Sequence, residues 1–80
     1  MDQHPEPTAS HLTVREVEVL RMVGAGLSSK HIGYRLGIAP KTVDTYVEHI
    51  RMKLGAANRS HMIALAIGGG LLDTADRHEP

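Results

Sequence analysis

The sequence predicts an all-α fold of four short helices, and three stretches carry that expectation. Ser28 to Leu54 divides into two helical segments, about Ser29–Leu36 and Pro40–Leu54, with Gly37-Ile38-Ala39 as the turn between them. Thr13-Val14-Arg15-Glu16 fits a capping box, in which the hydroxyl accepts from the third amide and the carboxylate reaches back to the cap's own amide. Met62 to Ile67 is an unbroken apolar run between Asn58, a suitable N-cap, and the helix-ending Gly68-Gly69-Gly70. Eighty residues hold these elements to one domain around one small core. That domain is expected at residues 11–72, between a disordered tail or linker at 1–10 and a polar tail at 73–80.

Composition narrows the function classes. Two tyrosines are the only aromatic residues, so the core must be aliphatic. With no cysteine there is neither a disulfide framework nor a thiolate metal site. Six histidines occur, but none stands four residues from another on one helix, so solvated histidines are expected and no metal site. No apolar run approaches the ~20 residues that span a bilayer. No basic start leads into an apolar stretch as in a signal peptide. A cytoplasmic protein without a cofactor or membrane association is expected. Ser, His and Asp occur without a nucleophile motif such as G-x-S-x-G, and so small a chain offers little pocket. Neither enzymatic activity nor a small-molecule ligand is expected. Gly68-Gly69-Gly70 follows a helix instead of opening one, which makes it a terminator and not a phosphate loop.

Taken in order, the first helix starts behind Thr13 and runs to about Ala25, with Gly24 and Gly26 weakening its end. Val17, Leu20 and Val23 share one broad side, and Leu27 lies just beyond. Glu16 falls in the same arc at ~100° per residue. Either it only caps and stays solvated, or it is partly buried and needs a cation, for which Arg59 and Lys53 are the candidates. Ser28 caps the second helix. Ile32 and Leu36 face inward, and Gly33 between them lets the next helix cross closely. Mid-helix Gly costs ~1 kcal/mol relative to Ala, which close packing would offset. Gly37 permits positive φ in the turn.

Pro40 suits the first position of the third helix, whereas Ala39 is a poor cap. Val43, Val47, Ile50 and Leu54 fall at i, i+4, i+7 and i+11, a narrow apolar stripe. The opposite side holds Lys41, Thr45, Glu48 and Met52, flanked by Asp44, His49 and Arg51. The fourth helix, about Arg59 to Ile67, is apolar in every direction, and such a helix is buried on more than one side. A three-helix core covers one face. The other is expected to meet a second copy across a two-fold axis, through Met62, Ile63, Leu65, Ala66 and Ile67. The alternative is that the alanines leave that face only mildly apolar and the chain monomeric.

Two helices joined by a short glycine-containing turn form a helix-turn-helix unit, whose second helix can enter the DNA major groove. The net charge of zero argues mildly against nucleic acid, but its distribution does not. Residues 28–61 carry Lys30, Arg35, Lys41, Arg51, Lys53 and Arg59 against Asp44 and Glu48, a net of +4, while the flanking segments carry −2 each. A local basic patch is what a phosphate backbone requires.

Four pieces of the chain fit one family pattern. They are Leu12-Thr13-x-Arg15-Glu16-x-Glu18-Val19-Leu20, Gly26-Leu27-Ser28-x-Lys30-x-Ile32, Leu36-Gly37-Ile38-x-Pro40-Lys41-Thr42-Val43, and Lys53-Leu54-Gly55 with Arg59. In this order and spacing, over about Leu12 to Leu72, the chain resembles the LuxR/GerE-type helix-turn-helix family of NarL/FixJ-like bacterial regulators. Its length is similar to that of the free-standing GerE-like members. The resemblance implies a tetrahelical DNA-binding domain whose third helix reads the major groove and whose fourth forms the dimer. It makes Lys41, Thr42 and Tyr46 phosphate contacts, and Ser28, Lys30 and Arg51 complete that expected set. It puts Asp44, Thr45 and Glu48 at the base-reading positions, where many relatives carry basic residues. Ala39, Gly33 and Tyr46 also depart from frequent family choices. Thr13, Glu16, Gly33, Gly37, Val43, Val47, Ile50, Leu54 and Arg59 are expected to hold the fold.

The expected function is a dimeric, sequence-specific DNA-binding transcription regulator with half-sites one helical turn apart, about 34 Å. The acidic pair motivates a second reading, an interaction protein of the same fold that binds a fuller regulator or RNA polymerase and touches DNA weakly. A third keeps the DNA chemistry but places control in a preceding receiver or ligand domain.

Overall fold

A computed structural model describes residues 12–72. The tails expected at 1–10 and 73–80 lie outside the described residues. Within them the chain forms α1 (Val14–Gly24), α2 (Ser29–Leu36), α3 (Pro40–Leu54) and α4 (Arg59–Gly68), and no strand. The protein is all-α, with α3 packed against each of the other three helices. One aliphatic core joins them, built on Val19, Leu20, Val23, Ile32, Val43, Ile50, Leu54, Ala56, Met62, Ala66 and Leu72.

The capping box of α1 is formed as its sequence predicts. The Glu16 amide donates to Thr13 Oγ1 at 3.1 Å, and the Thr13 amide donates to Glu16 Oε1 at 2.8 Å. The buried line of α1 is Glu16, Val19, Leu20 and Val23, with Val17 only half-buried. Val19, missing from the expected face, is fully buried. The stripe runs at i, i+3, i+4 and i+7 from Glu16, so the acid itself sets the register. Its cation is Lys53, whose Nζ donates to Glu16 Oε1 at 2.8 Å and Oε2 at 3.0 Å. Arg59, the other candidate, is exposed and forms no ion pair among the described residues, which corrects its expected structural role.

Gly33 allows the α2–α3 turn to approach the α2 backbone closely. A Cβ there would stand 2.5 Å from the Ile38 carbonyl oxygen and 3.3 Å from the Pro40 nitrogen. The α2–α3 turn therefore lies directly on the α2 backbone. Gly37 enters it at φ 72°, and the Ile38 amide donates back to the Gly33 carbonyl at 2.9 Å. Along α3 the expected stripe is buried at Val43, Ile50 and Leu54, while Val47 is half-buried at its edge.

The apolar run of α4 divides between two environments. Met62 and Ala66, one turn apart, are 0% exposed and belong to the core, so they have no surface to give a partner. This corrects their expected place in a dimer interface. Ile63 and Ile67 are half-buried, and Ala64 and Leu65 are exposed. After α4 the chain reverses, with the Leu71 and Leu72 amides both donating to the Ala66 carbonyl, and Leu72 packs against Gly24.

Two outcomes test this packing. Gly33→Ala should destabilise by about 1–3 kcal/mol in urea unfolding, because the added methyl meets backbone and not a movable side chain. A neutral or stabilising result would mean helix propensity dominates there. The second concerns Glu16. Burial opposes its ionisation most, but the bonds from Lys53 and Thr13 together outweigh it, and its pKa is lowered. A folded pKa below the unfolded one gives stability that is present above the ordinary glutamate value and lost as pH falls through the folded value. The urea midpoint should therefore drop as pH falls below about 4.5, and Glu16→Gln should flatten that limb. An equally steep limb in the variant would remove this account.

Candidate nucleic-acid interface

The face of α3 opposite its buried stripe is open. Lys41, Thr42, Asp44, Thr45, Glu48, His49 and Met52 are all exposed along it. The helix starts at Pro40 behind Ala39, which provides no side-chain cap, so the first-turn amides are not covered by a side chain. Pro40 has no amide hydrogen and the Thr42 amide donates to the Ala39 carbonyl at 2.9 Å, so what the start of α3 offers an anion is mainly its positive dipole.

The two acidic residues of this face both have partners inside the chain. Asp44 accepts from the Ser29 hydroxyl at the start of α2. Glu48 is gripped by Arg51, with Nε donating to Oε1 at 3.2 Å and Nη2 to Oε2 at 2.6 Å. That contact lowers the Glu48 pKa and raises that of Arg51. Arg51 Nη1 also donates to the Ala56 carbonyl at 2.6 Å. Arg51, expected as a phosphate contact, is thus tied to Glu48 and to the loop that follows α3. Thr45 donates its hydroxyl back to the Lys41 carbonyl at 3.2 Å, a local bond that leaves its methyl free.

The remaining expected residues lie around the two helix starts. Ser28 caps α2 by accepting from the His31 amide at 3.1 Å, and Lys30 and Lys41 are exposed. Tyr46 is half-buried and packs against the core. Beside them runs an open groove that sequence reasoning missed, lined by Ser28, Lys30, His31, Tyr34, Ile38 and Pro40. Tyr34 is 86% exposed on its wall. The signal for it was present: Tyr34 stands four residues from Lys30 and off the Ile32–Leu36 face. Ser29 was missed too, because its use depends on Asp44 fifteen residues away.

Among the described residues no group of three or more His, Cys, Asp or Glu could hold a metal ion. No helix there is long and apolar enough to cross a membrane.

A capped α2, a glycine turn folded onto it, and an α3 with one face open define a helix-turn-helix domain. Residues 10–66 match the family model described as bacterial regulatory proteins, luxR family, and the chain belongs to that family. A Mycobacterium bovis protein provisionally named as an HTH-type transcriptional regulator is 44% identical over 52 residues, 65% of this chain and 6% of that protein. "Probable transcriptional regulatory protein NarL" of Mycobacterium tuberculosis is 39% identical over 71 residues, 89% of this chain and 33% of the relative. The transcriptional regulatory protein FixJ of Rhizobium meliloti is 39% identical over 59 residues, 74% of this chain and 29% of the relative. The chain therefore spans a third or less of the length of these relatives. No solved structure matches it.

Proposed function

We propose that this domain is a sequence-specific DNA-binding unit of a transcription regulator, which acts as a homodimer and inserts α3 into the major groove. The observation that carries the reading is the division of α3, in a luxR-family domain, into a buried stripe and a polar, exposed face. Asp44, Thr45 and Glu48 face the bases. Lys41, Thr42, Tyr46, Ser28 and Lys30 contact phosphates, with the positive dipole at the start of α3 adding to the attraction. The competing reading, a binder of another regulator or of RNA polymerase, drew on the unfavourable placement of Asp44 and Glu48 near phosphates. Their partners Ser29 and Arg51 weaken that objection.

The dimer forms through the part of α4 that the core leaves over, Ile63, Leu65 and Ile67. Leu65 is 39% exposed, and the two isoleucines are half-covered. A two-fold axis along this face would set the two copies of α3 one helical turn apart on DNA.

Binding to duplex DNA should weaken as salt rises, because each neutralised phosphate releases counterion. Lys41→Ala should weaken all sequences alike and reduce the salt slope by about 1. Thr45→Val, which keeps the methyl contact but removes the hydroxyl, should leave preference for a thymine methyl intact, whereas Thr45→Gly should lose it. A parent protein retained by no random duplex at low salt would end the reading. In sedimentation, Leu65→Glu should halve the mass of the parent dimer without altering its helical content. A parent that sediments as a monomer at all concentrations would leave the two-fold argument without support.

A further inference from the structure

We infer that Glu48 and Arg51 work as one unit, in which Arg51 positions the Glu48 carboxylate to accept from the N4 amino group of a cytosine in the major groove. The inference rests on the DNA-binding reading above and names a base that reading leaves open.

Glu48 stands one turn beyond Thr45 on the open face of α3, with its side chain 54% exposed. Arg51 holds both of its oxygens, at 3.2 and 2.6 Å. The guanidinium is itself anchored, since Nη1 donates to the Ala56 carbonyl at 2.6 Å and its side chain is only 30% exposed. The Ala56 backbone is fixed in turn, its amide donating to the Arg51 carbonyl at 2.9 Å behind the left-handed Gly55. A flexible glutamate is thereby held through a planar fork to a rigid loop, which removes rotamer freedom before DNA arrives.

A carboxylate has about four lone-pair sites, and the fork uses two of them. Each oxygen keeps capacity for a further donor. Kept ionised by Arg51, the group only accepts, so it needs a donor on the base edge. The major groove offers two, cytosine N4 and adenine N6. Adenine sets the N7 lone pair beside N6, where it would face the second carboxylate oxygen. Cytosine sets only a C–H beside N4. The geometry therefore selects cytosine. Arg51 also offsets the repulsion between Glu48 and the phosphates, so an acid is tolerated on this face. Arg51 is in this account a positioning residue, turned toward the protein and not toward the backbone of DNA.

Selection from random duplex DNA, followed by titration of the enriched sites at several salt concentrations, tests the unit. The proteins are the parent, Glu48→Gln, Arg51→Met, Arg51→Lys and the combined Glu48→Gln/Arg51→Met, each with an intact thermal transition. The parent should enrich cytosine at one position of the half-site. Glu48→Gln should move that position toward adenine, whose N6 and N7 match a carboxamide. Arg51→Met should relax the same position about fivefold or more while leaving the preferences at other positions unchanged; the Glu48 charge it unmasks lowers affinity for all sequences alike. In the Glu48→Gln background it should add nothing there. Arg51→Lys keeps the charge without the fork and should relax the position partly; it carries the test if Arg51→Met does not fold. A loss shared by all sequences with no relaxation at the cytosine position overturns the inference: with a slope lower by about one, Arg51 is a phosphate contact, and with the slope unchanged it is only a structural brace. A parent that binds DNA with no preference traceable to Glu48 overturns the inference alone. A parent that binds no DNA removes the DNA-binding reading, and this one with it.

Discussion

The Glu16–Lys53 contact is the constraint on which the arrangement of the helices depends. It joins the first turn of α1 to the last turn of α3 across 37 positions of sequence. Glu16 is nearly buried, so its charge must be met, and it is met by two groups: the Thr13 amide and the Lys53 ammonium, which reaches both carboxylate oxygens. Lys53 remains 37% exposed, so solvent screens the attraction and its net stabilisation is small. Its larger consequence is orientation. An α1 rotated away from this register would bury Glu16 without its cation, and a shifted α3 would withdraw Lys53. Buried charges are costly when unpaired, which gives the pair its power to select one packing.

With its C-terminal end fixed there, α3 is fixed at its other end by the absence of a side chain at Gly33. The Ile38 carbonyl oxygen lies 2.5 Å from where a Cβ would stand, so the turn cannot lift or slide without opening a gap. Two local features, one ionic and one steric, thus define the rotation of α3 about its axis. That rotation buries Val43, Ile50 and Leu54 and leaves Asp44, Thr45 and Glu48 outside. The open face of α3 follows from the packing.

Most of this was legible in the sequence because the signals are local. Capping residues, the Pro40 start, the glycine ends and the stripe on α3 each act within one or two turns, and the element boundaries follow them closely. The close approach at Gly33 was also legible, since a mid-helix glycine between two inward residues has few other uses. What escaped were relations between elements. The choice of Lys53 over Arg59 depends on how α1 crosses α3. Val19 entered the core, and Val17 moved to its edge, because the buried line of α1 is set from Glu16. Met62 and Ala66 were given to a partner because a continuous apolar run hides which side the core takes. The partners of Asp44 and Glu48 were invisible for a related reason: Ser29 lies on another helix, and the Arg51 fork is steadied by a backbone carbonyl.

The charges left over after these contacts bear on how such a domain would hold DNA. Lys53 is committed to Glu16, and Arg51 to Glu48 and Ala56. Near the open face Lys30 and Lys41 remain as exposed cations, Arg35 and Arg59 are exposed elsewhere without an ion pair among the described residues, and Glu48 is neutralised without adding a positive surplus. A small number of phosphate contacts per protomer implies a shallow salt dependence for one copy and weak non-specific binding. Two linked copies change this, because the second engages at the high effective concentration set by the first. On the DNA-binding reading, the apolar remainder of α4 is therefore as necessary to function as the face of α3. The sparse cations carry a further consequence. When backbone attraction is low, a larger share of the binding free energy comes from base-edge contacts, and discrimination between sites rises relative to total affinity. On the same reading, a neutral chain with paired acids on the open face of α3 fits a domain that gives up general affinity for DNA in exchange for selectivity.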